Sequence, residues 1–122
     1  MNDKKVRGDW GEDRAARYLR LRGYRILERN FRCRQGEIDI IAEKGGFVVF
    51  VEVKQRKNAD FGQAREFVTL TKQRRVIAAA ELWILKNRCE LQPRFDVIEI
   101  YAPNGTGTIF PEIKHLKNAF SV

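Results

Sequence analysis

The sequence has little that could carry sulfur or imidazole chemistry. It holds two cysteines, Cys33 and Cys89, and a single histidine, His115. The cysteines form no CxxC pair and no His/Cys cluster surrounds them. Neither a zinc site nor a disulfide is expected, and both read as inert thiols. One histidine cannot build a His-based metal site, and His115 reads as a surface or helix-end residue. No apolar run approaches the ~18 residues needed to cross a bilayer; the longest, Phe47 to Val51, is strand-sized. The charged start, Met1 to Arg7, leads into no apolar segment, so a secretory signal is not expected and the cytoplasm is the expected compartment. No Pro/Gly-rich linker, internal repeat or low-complexity tract divides the chain, which reads as one domain over residues 1–122.

What is abundant is positive charge. Lysine and arginine total 24 against 16 acidic residues, a formal net charge of +8. So large an excess on a small globular chain suggests a polyanionic partner, most commonly nucleic acid, without distinguishing DNA from RNA. No RNA-binding aromatic signature is present, and Phe47 and Phe50 read as core.

The hydrophobic pattern predicts a helix from Lys4 to Arg22 closed by Gly23, with Ala15, Ala16 and Leu19 on one side. Tyr24 to Arg29 reads as a short strand. Glu37 to Glu43 alternates, with Ile38, Ile40 and Ala42 on one face. In Phe47 to Lys54 both faces are largely apolar, which predicts a central strand covered on two sides. Asn58 to Val68 reads as a loop or irregular turn. Thr69 or Thr71 caps a helix reaching about Asn87, with Val76, Ile77, Ala80 and Ile84 as its stripe. Arg94 to Tyr101 is a further strand. Thr108 to Phe110 reads as a short strand and Pro111 to Phe120 as a helical turn. Trp10 and Trp83 fall off the stripes of their helices and read as a second packing surface or an oligomer contact. The order predicts an α/β fold: one mixed sheet flanked by helices.

Chemistry concentrates in one hairpin. Gly45-Gly46 suits a two-residue turn in which both residues take positive φ. That turn sets Lys44 opposite Phe47, Ala42 opposite Val49, Asp39 opposite Glu52 and Glu37 opposite Lys54. It also aligns Ile38, Ile40 and Ala42 with the valine face. A one-residue slip would drive Asp39 among those valines. Two carboxylates so opposed, ~4.5–5.5 Å apart at Cβ, repel each other unless a cation sits between them. Asp39, Glu52 and the Val53 carbonyl offer hard oxygens suited to Mg²⁺ or Mn²⁺. Lys54 could then position water or neutralise phosphate charge.

Gly36-Glu37-Ile38-Asp39-Ile40-Ile41-Ala42 and Val51-Glu52-Val53-Lys54-Gln55-Arg56 resemble the PD-(D/E)xK motif of restriction-endonuclease-like nucleases. Gly11-Glu12 with Ala15-Ala16, Gly23-Tyr24, Asn30-Phe31-Arg32, Lys72-Gln73-Arg74-Arg75 and Arg94-Phe95-Asp96-Val97 extend the likeness along the chain. Together they are similar to the YraN-type uncharacterised proteins, and through them to archaeal Holliday-junction resolvases. The resemblance implies an αβββαβ core and metal-dependent cleavage of DNA, branched or flapped by analogy. It also implies Asp39 and Glu52 as metal ligands, Lys54 as catalytic lysine, and a homodimer. A non-catalytic nucleic-acid-binding or adaptor module on the same fold is the alternative.

Around this centre, Glu12 on the apolar side of the first helix is either a further ligand or the partner of an interior arginine. Gln73 either orients a carboxylate or water, or bonds local backbone. Glu37 supports the lysine across the hairpin. Arg32, Arg34, Gln55, Arg56 and Lys57 flank the hairpin ends and, with Lys72, are expected to track phosphates. Arg74 and Arg75 read as solvated.

Overall fold

The computed structural model describes residues 3–57 and 68–121. Helix α1 (Asp3–Leu21) leads into the antiparallel strands β1 (Arg25–Arg32), β2 (Glu37–Lys44) and β3 (Phe47–Arg56). Helix α2 (Leu70–Asn87) crosses over to β4 (Gln92–Tyr101), which lies parallel to β3; a 3₁₀ turn at Gly105–Gly107 then precedes β5 (Glu112–Phe120), antiparallel to β4. The result is a mixed sheet of order β1-β2-β3-β4-β5 with helices on its faces, the α/β architecture expected. The expected loop at Asn58 to Val68 lies outside the described residues but for Val68. Among the described residues no helix is long and apolar enough to cross a membrane.

β3 is central, as its two apolar faces require. Val49 and Val51 join Ala15, Ala16 and Leu19 in the core under α1; Val48 and Phe50 join Val76, Ala79, Ala80 and Trp83 in the core under α2. The hairpin has the predicted register, from Lys44↔Phe47 through Ala42↔Val49 to Ile40↔Val51, with Gly45 and Gly46 at φ 59° and 86°. Thr69 caps α2 by accepting from the Lys72 N–H at 3.1 Å.

Several expectations change. Residues 112–120 form a strand, not a helical turn, and no strand spans Thr108 to Phe110. The left-handed Asn118 (φ 52°) and a register shift between Phe95 and Val97 break the alternation that would have revealed β5. Trp83 is core: it packs edge-on against Phe50, and its indole N–H donates to Glu28 Oε1 at 2.9 Å. The α2 stripe is therefore Val76, Ala79, Ala80 and Trp83, with Ile77 and Ile84 at its margin. Trp10 packs at the edge of the α1 core.

Ile38 does not share the face of Ile40. It joins Phe31 in the α2-side core, while Ile40 lies in the α1-side core. The cause lies across the ladder, where Asn30 is left-handed (φ 55°) between the pairs Arg29↔Ile40 and Phe31↔Ile38. Arg29 and Asn30, though consecutive, both reach Glu12 on α1, at 3.0 Å each. The ladder stays in step here, and past the left-handed Asn30 the next residue, Phe31, turns to the α2-side core.

His115 is buried rather than superficial. Its Nε2 lies 2.6 Å from Asp96 Oδ2, and its Nδ1 3.3 Å from the Tyr18 hydroxyl. Arg94 forks onto both Asp96 oxygens at 2.9 and 2.8 Å, and the Asn118 N–H donates to Asp96 at 3.0 Å. Burial alone would raise the Asp96 pKa, but the hydrogen bonds from His115, Arg94 and Asn118 outweigh it and hold the carboxyl below its usual value. This charged knot ties β4 and β5 to α1.

Candidate functional site

Asp39 and Glu52 come from the two strands that the glycine turn brings side by side. Continuous pairing of β2 with β3 runs to Ile40↔Val51, one step short of them. There the Asp39 side chain takes over: its Oδ2 accepts the Val53 N–H at 2.8 Å. The carboxylate is thereby oriented by the strand that carries Glu52.

Glu52 is 7% exposed. Among the described residues no donor hydrogen-bonds its carboxylate. Instead two ammonium groups stand off Oε1: Lys54 Nζ and Lys72 Nζ, each at 3.7 Å. That distance is beyond a hydrogen bond, so the group is surrounded by positive charge without being clamped. Burial, and next the charge of Asp39, push Glu52 up to about 7, against the pull of Lys72 and Lys54. Asp39 is also raised, chiefly by burial, while the Val53 N–H and the same two lysines oppose the rise. The pair therefore holds a proton well above the ordinary carboxylate range.

Lys72 arrives on the first turn of α2, where the Thr69 cap fixes its backbone. Gln73, its neighbour, donates from Nε2 to the Val68 carbonyl at 2.9 Å. Of its two readings, bonding of local backbone is the one present. Glu12 likewise has the arginine partner: Oε1 accepts from Arg29 Nε and from Asn30 Nδ2. Its pKa is raised, first by burial, with the charge of Asp39 contributing. Glu12 is thus electrostatically part of the site while its near oxygen is occupied. Among the described residues no group of three or more His, Cys, Asp or Glu side chains is placed to hold a metal ion.

A cleft of about 330 Å³ is lined by Arg32, Cys33, Gly36, Glu37, Lys72 and Arg75; Asp39, Glu52 and Lys54 are not among its lining, and Lys72 links it to Glu52. Arg32 Nε lies 3.5 Å from Glu37 Oε2 at its rim. Arg75 was not expected here. Gly36 admits it: a Cβ at that position would lie 3.0 Å from the Arg75 carbonyl oxygen, so only glycine lets the β1–β2 turn seat against the α2 backbone. The other flanking residues divide. Arg34 and Lys57 are exposed. Gln55 turns its buried Oε1 toward α1, where Gly11 leaves room for it. Arg56 buries Nε and Nη2 of its guanidinium.

One residue escaped the sequence reading altogether. Glu99 is fully buried on β4, in register with Lys54 and bonded by the Tyr101 hydroxyl. By alternation from Phe95 and Val97 it shares the α2-side face with Glu52 and Lys54. A single acid inside Val97-Ile98-Glu99-Ile100 was its only signal.

Comparison with known proteins gives one consistent result. A family model described as Uncharacterised protein family UPF0102 matches residues 11–100. A UPF0102 protein of Geotalea daltonii is 47% identical over 122 residues, covering 99% of this chain and 94% of the relative. One from Caldicellulosiruptor saccharolyticus is 43% identical over 121 residues, covering 98% and 100%. One from Persephonella marina is 45% identical over 118 residues, covering 96% and 95%.

Proposed function

We propose that this chain, which belongs to the UPF0102 family, is a metal-dependent endonuclease of the restriction-endonuclease-like, PD-(D/E)xK type that hydrolyses DNA phosphodiesters. One observation carries the reading. Asp39, oriented by the Val53 N–H, and the buried Glu52 come from adjacent strands, with Lys54 and Lys72 at 3.7 Å from Glu52 Oε1 and, among the described residues, no hydrogen-bond donor on that carboxylate. The two lysines stand off rather than clamp the acids, which leaves a divalent cation charge to neutralise.

The residues fit Mg²⁺ or Mn²⁺. Mg²⁺ is commonly held by one or two carboxylates with waters and substrate phosphate completing its shell, so a three-acid cage is not required. Asp39, Glu52 and the Val53 carbonyl would hold the ion. When bound it would polarise the phosphoryl oxygen and acidify water. Lys54 orients the attacking water and balances charge on the phosphate. Lys72, Arg32 and Arg75 hold the neighbouring phosphates in the cleft. Glu12 acts as a positioning residue, fixing Arg29 and Asn30 on the strand beside Asp39. Branched or flapped DNA is the substrate the resolvase resemblance points to, and action as a homodimer follows the same analogy.

Two measurements test this. In calorimetric titration with Mg²⁺ or Mn²⁺, the wild type binds and Asp39→Asn does not; equal weak binding by both would defeat the site. Supercoiled, linear, flapped and four-way DNA are then incubated with wild type and Lys54→Ala. Cleavage by the wild type, reduced about 100-fold or more in the variant, is expected. Binding without cutting of any of these substrates, with either metal, would leave a DNA-binding adaptor instead; the net charge of +8 fits that second reading equally.

A further inference from the structure

We infer that the cleft between α1 and the segment leading into β5 binds an unpaired nucleic-acid strand, with Phe110 as a base-stacking platform and Arg14, Arg17 and Arg22 as phosphate contacts. The cleft measures about 620 Å³ and is lined by those four residues together with Tyr18 and Ile113, among others. On α1 its residues fall at positions 14, 17, 18 and 21, the spacing of one helical face, and Arg22 follows in the turn after the helix.

Charge complementarity selects an anion. Among the described residues no carboxylate lines the cleft. Arg14, Arg17 and Arg22 form no ion pair among the described residues. Two of the guanidinium groups lie over aromatic rings, Arg22 at 3.9 Å from the Tyr18 centroid and Arg14 at 5.3 Å from that of Trp10. Stacking restricts their motion and leaves the N–H edges for phosphate.

The apolar surface selects which anion. Phe110 is 92% exposed, and Ile109 and Leu21 beside it are also open to water. A duplex offers its outer phosphates to such a surface but no base faces. An unpaired strand offers both, and cationic grooves interleaved with exposed aromatics are how single strands are held without sequence preference. The cleft lies on the α1 side of the sheet, across it from Glu52 and Lys54. The inference rests on the nuclease reading only for the strand's destination; the binding itself needs no cleavage.

The test is fluorescence anisotropy on the full chain in EDTA, with labelled oligothymidylate, oligouridylate and a blunt DNA duplex. Phe110→Ala should weaken single-strand binding roughly 5- to 100-fold and leave duplex binding unchanged. Phe110→Trp should restore it. Arg17→Ala should flatten the log–log salt dependence by about 0.7. The tighter of the two oligomers names the source of the strand. The inference is overturned if Phe110→Ala, folded by circular dichroism, binds both oligomers as the wild type does. It is equally overturned if single strand and duplex weaken together, or if a Glu/Tyr-rich acidic peptide binds more tightly than either oligomer and Phe110→Ala abolishes that binding. Because no divalent ion is present, a protein that binds here yet never cuts DNA refutes the nuclease reading alone. One that cuts DNA while Phe110→Ala binds normally refutes this inference alone.

Discussion

Metal affinity should depend steeply on pH across neutrality, where an ordinary glutamate would give no dependence at all. Glu52 is pushed from an ordinary 4.5 up to about 7 by burial and by the adjacent charge of Asp39. A divalent ion needs both carboxylates ionised, so binding must expel the proton that the pair retains. A group titrating at about 7 is roughly nine-tenths ionised at pH 8 and one-tenth at pH 6. Apparent affinity should therefore fall about tenfold over that interval. The assay is calorimetry with Mn²⁺ in two buffers of different ionisation enthalpy. Proton release per ion bound should be near one at about pH 6, near a half at pH 7 and small at pH 8. Asp39→Asn removes the repelling charge, so in the metal-free variant Glu52 titrates closer to its ordinary value. A flat wild-type affinity from pH 6 to 8 without proton release would refute the reasoning.

The same shift predicts the stability of the metal-free protein. Because the folded state holds the Glu52 proton more tightly than the unfolded chain, stability is greatest below the unfolded value and is lost as pH rises through about 7. The difference amounts to about 3 kcal/mol, and Glu52→Gln should abolish it in chemical denaturation at about pH 5 and pH 8. Asp96 has the opposite sign. Its carboxyl is held below the usual value, so its contribution is present above the ordinary aspartate range and is lost as pH falls below it. Asp96→Asn should cost about 3–5 kcal/mol at neutral pH, since Arg94 and His115 stay buried with no carboxylate between them; a loss under 1 kcal/mol would show the knot to be dispensable. Gly36→Ala forces a Cβ to 3.0 Å from the Arg75 carbonyl oxygen. Overpacking there should cost about 1–3 kcal/mol in thermal denaturation, and an unchanged melting temperature would mean that the turn does not seat on α2 as described.

The hairpin was legible because three local signals agreed: a glycine pair for the turn, alternation on both strands, and valines that forbid a one-residue slip. The same agreement made Thr69 readable as a cap. Period-2 reasoning failed where one residue changes the count. Asn30 reverses the facing of Ile38, and Asn118 hides β5 as something that looks helical. Neither carries the glycine that usually marks a left-handed position. Trp83 was misplaced because the α2 stripe was centred on Ile77 and Ile84, whereas the sheet is met through small residues, Ala79 and Ala80, that set the helix close. Arg75, Glu99 and the His115 knot arise from contacts between distant segments, which no window of sequence contains. Asp39, Glu52 and Lys54 are legible because they lie on one hairpin; Lys72 reads only as a phosphate contact because its distance to Glu52 is set by the crossover.

That crossover also orders events in time. Asp39 and Glu52 are separated by a short turn and can meet within microseconds of chain collapse. Lys72 reaches them only once α2 has docked against the sheet, a slower closure over a longer loop. During synthesis and refolding the hairpin must therefore pass through an interval in which Lys54 alone offsets the two acids, and acid, counter-ions or a divalent metal supplied early should quicken its passage.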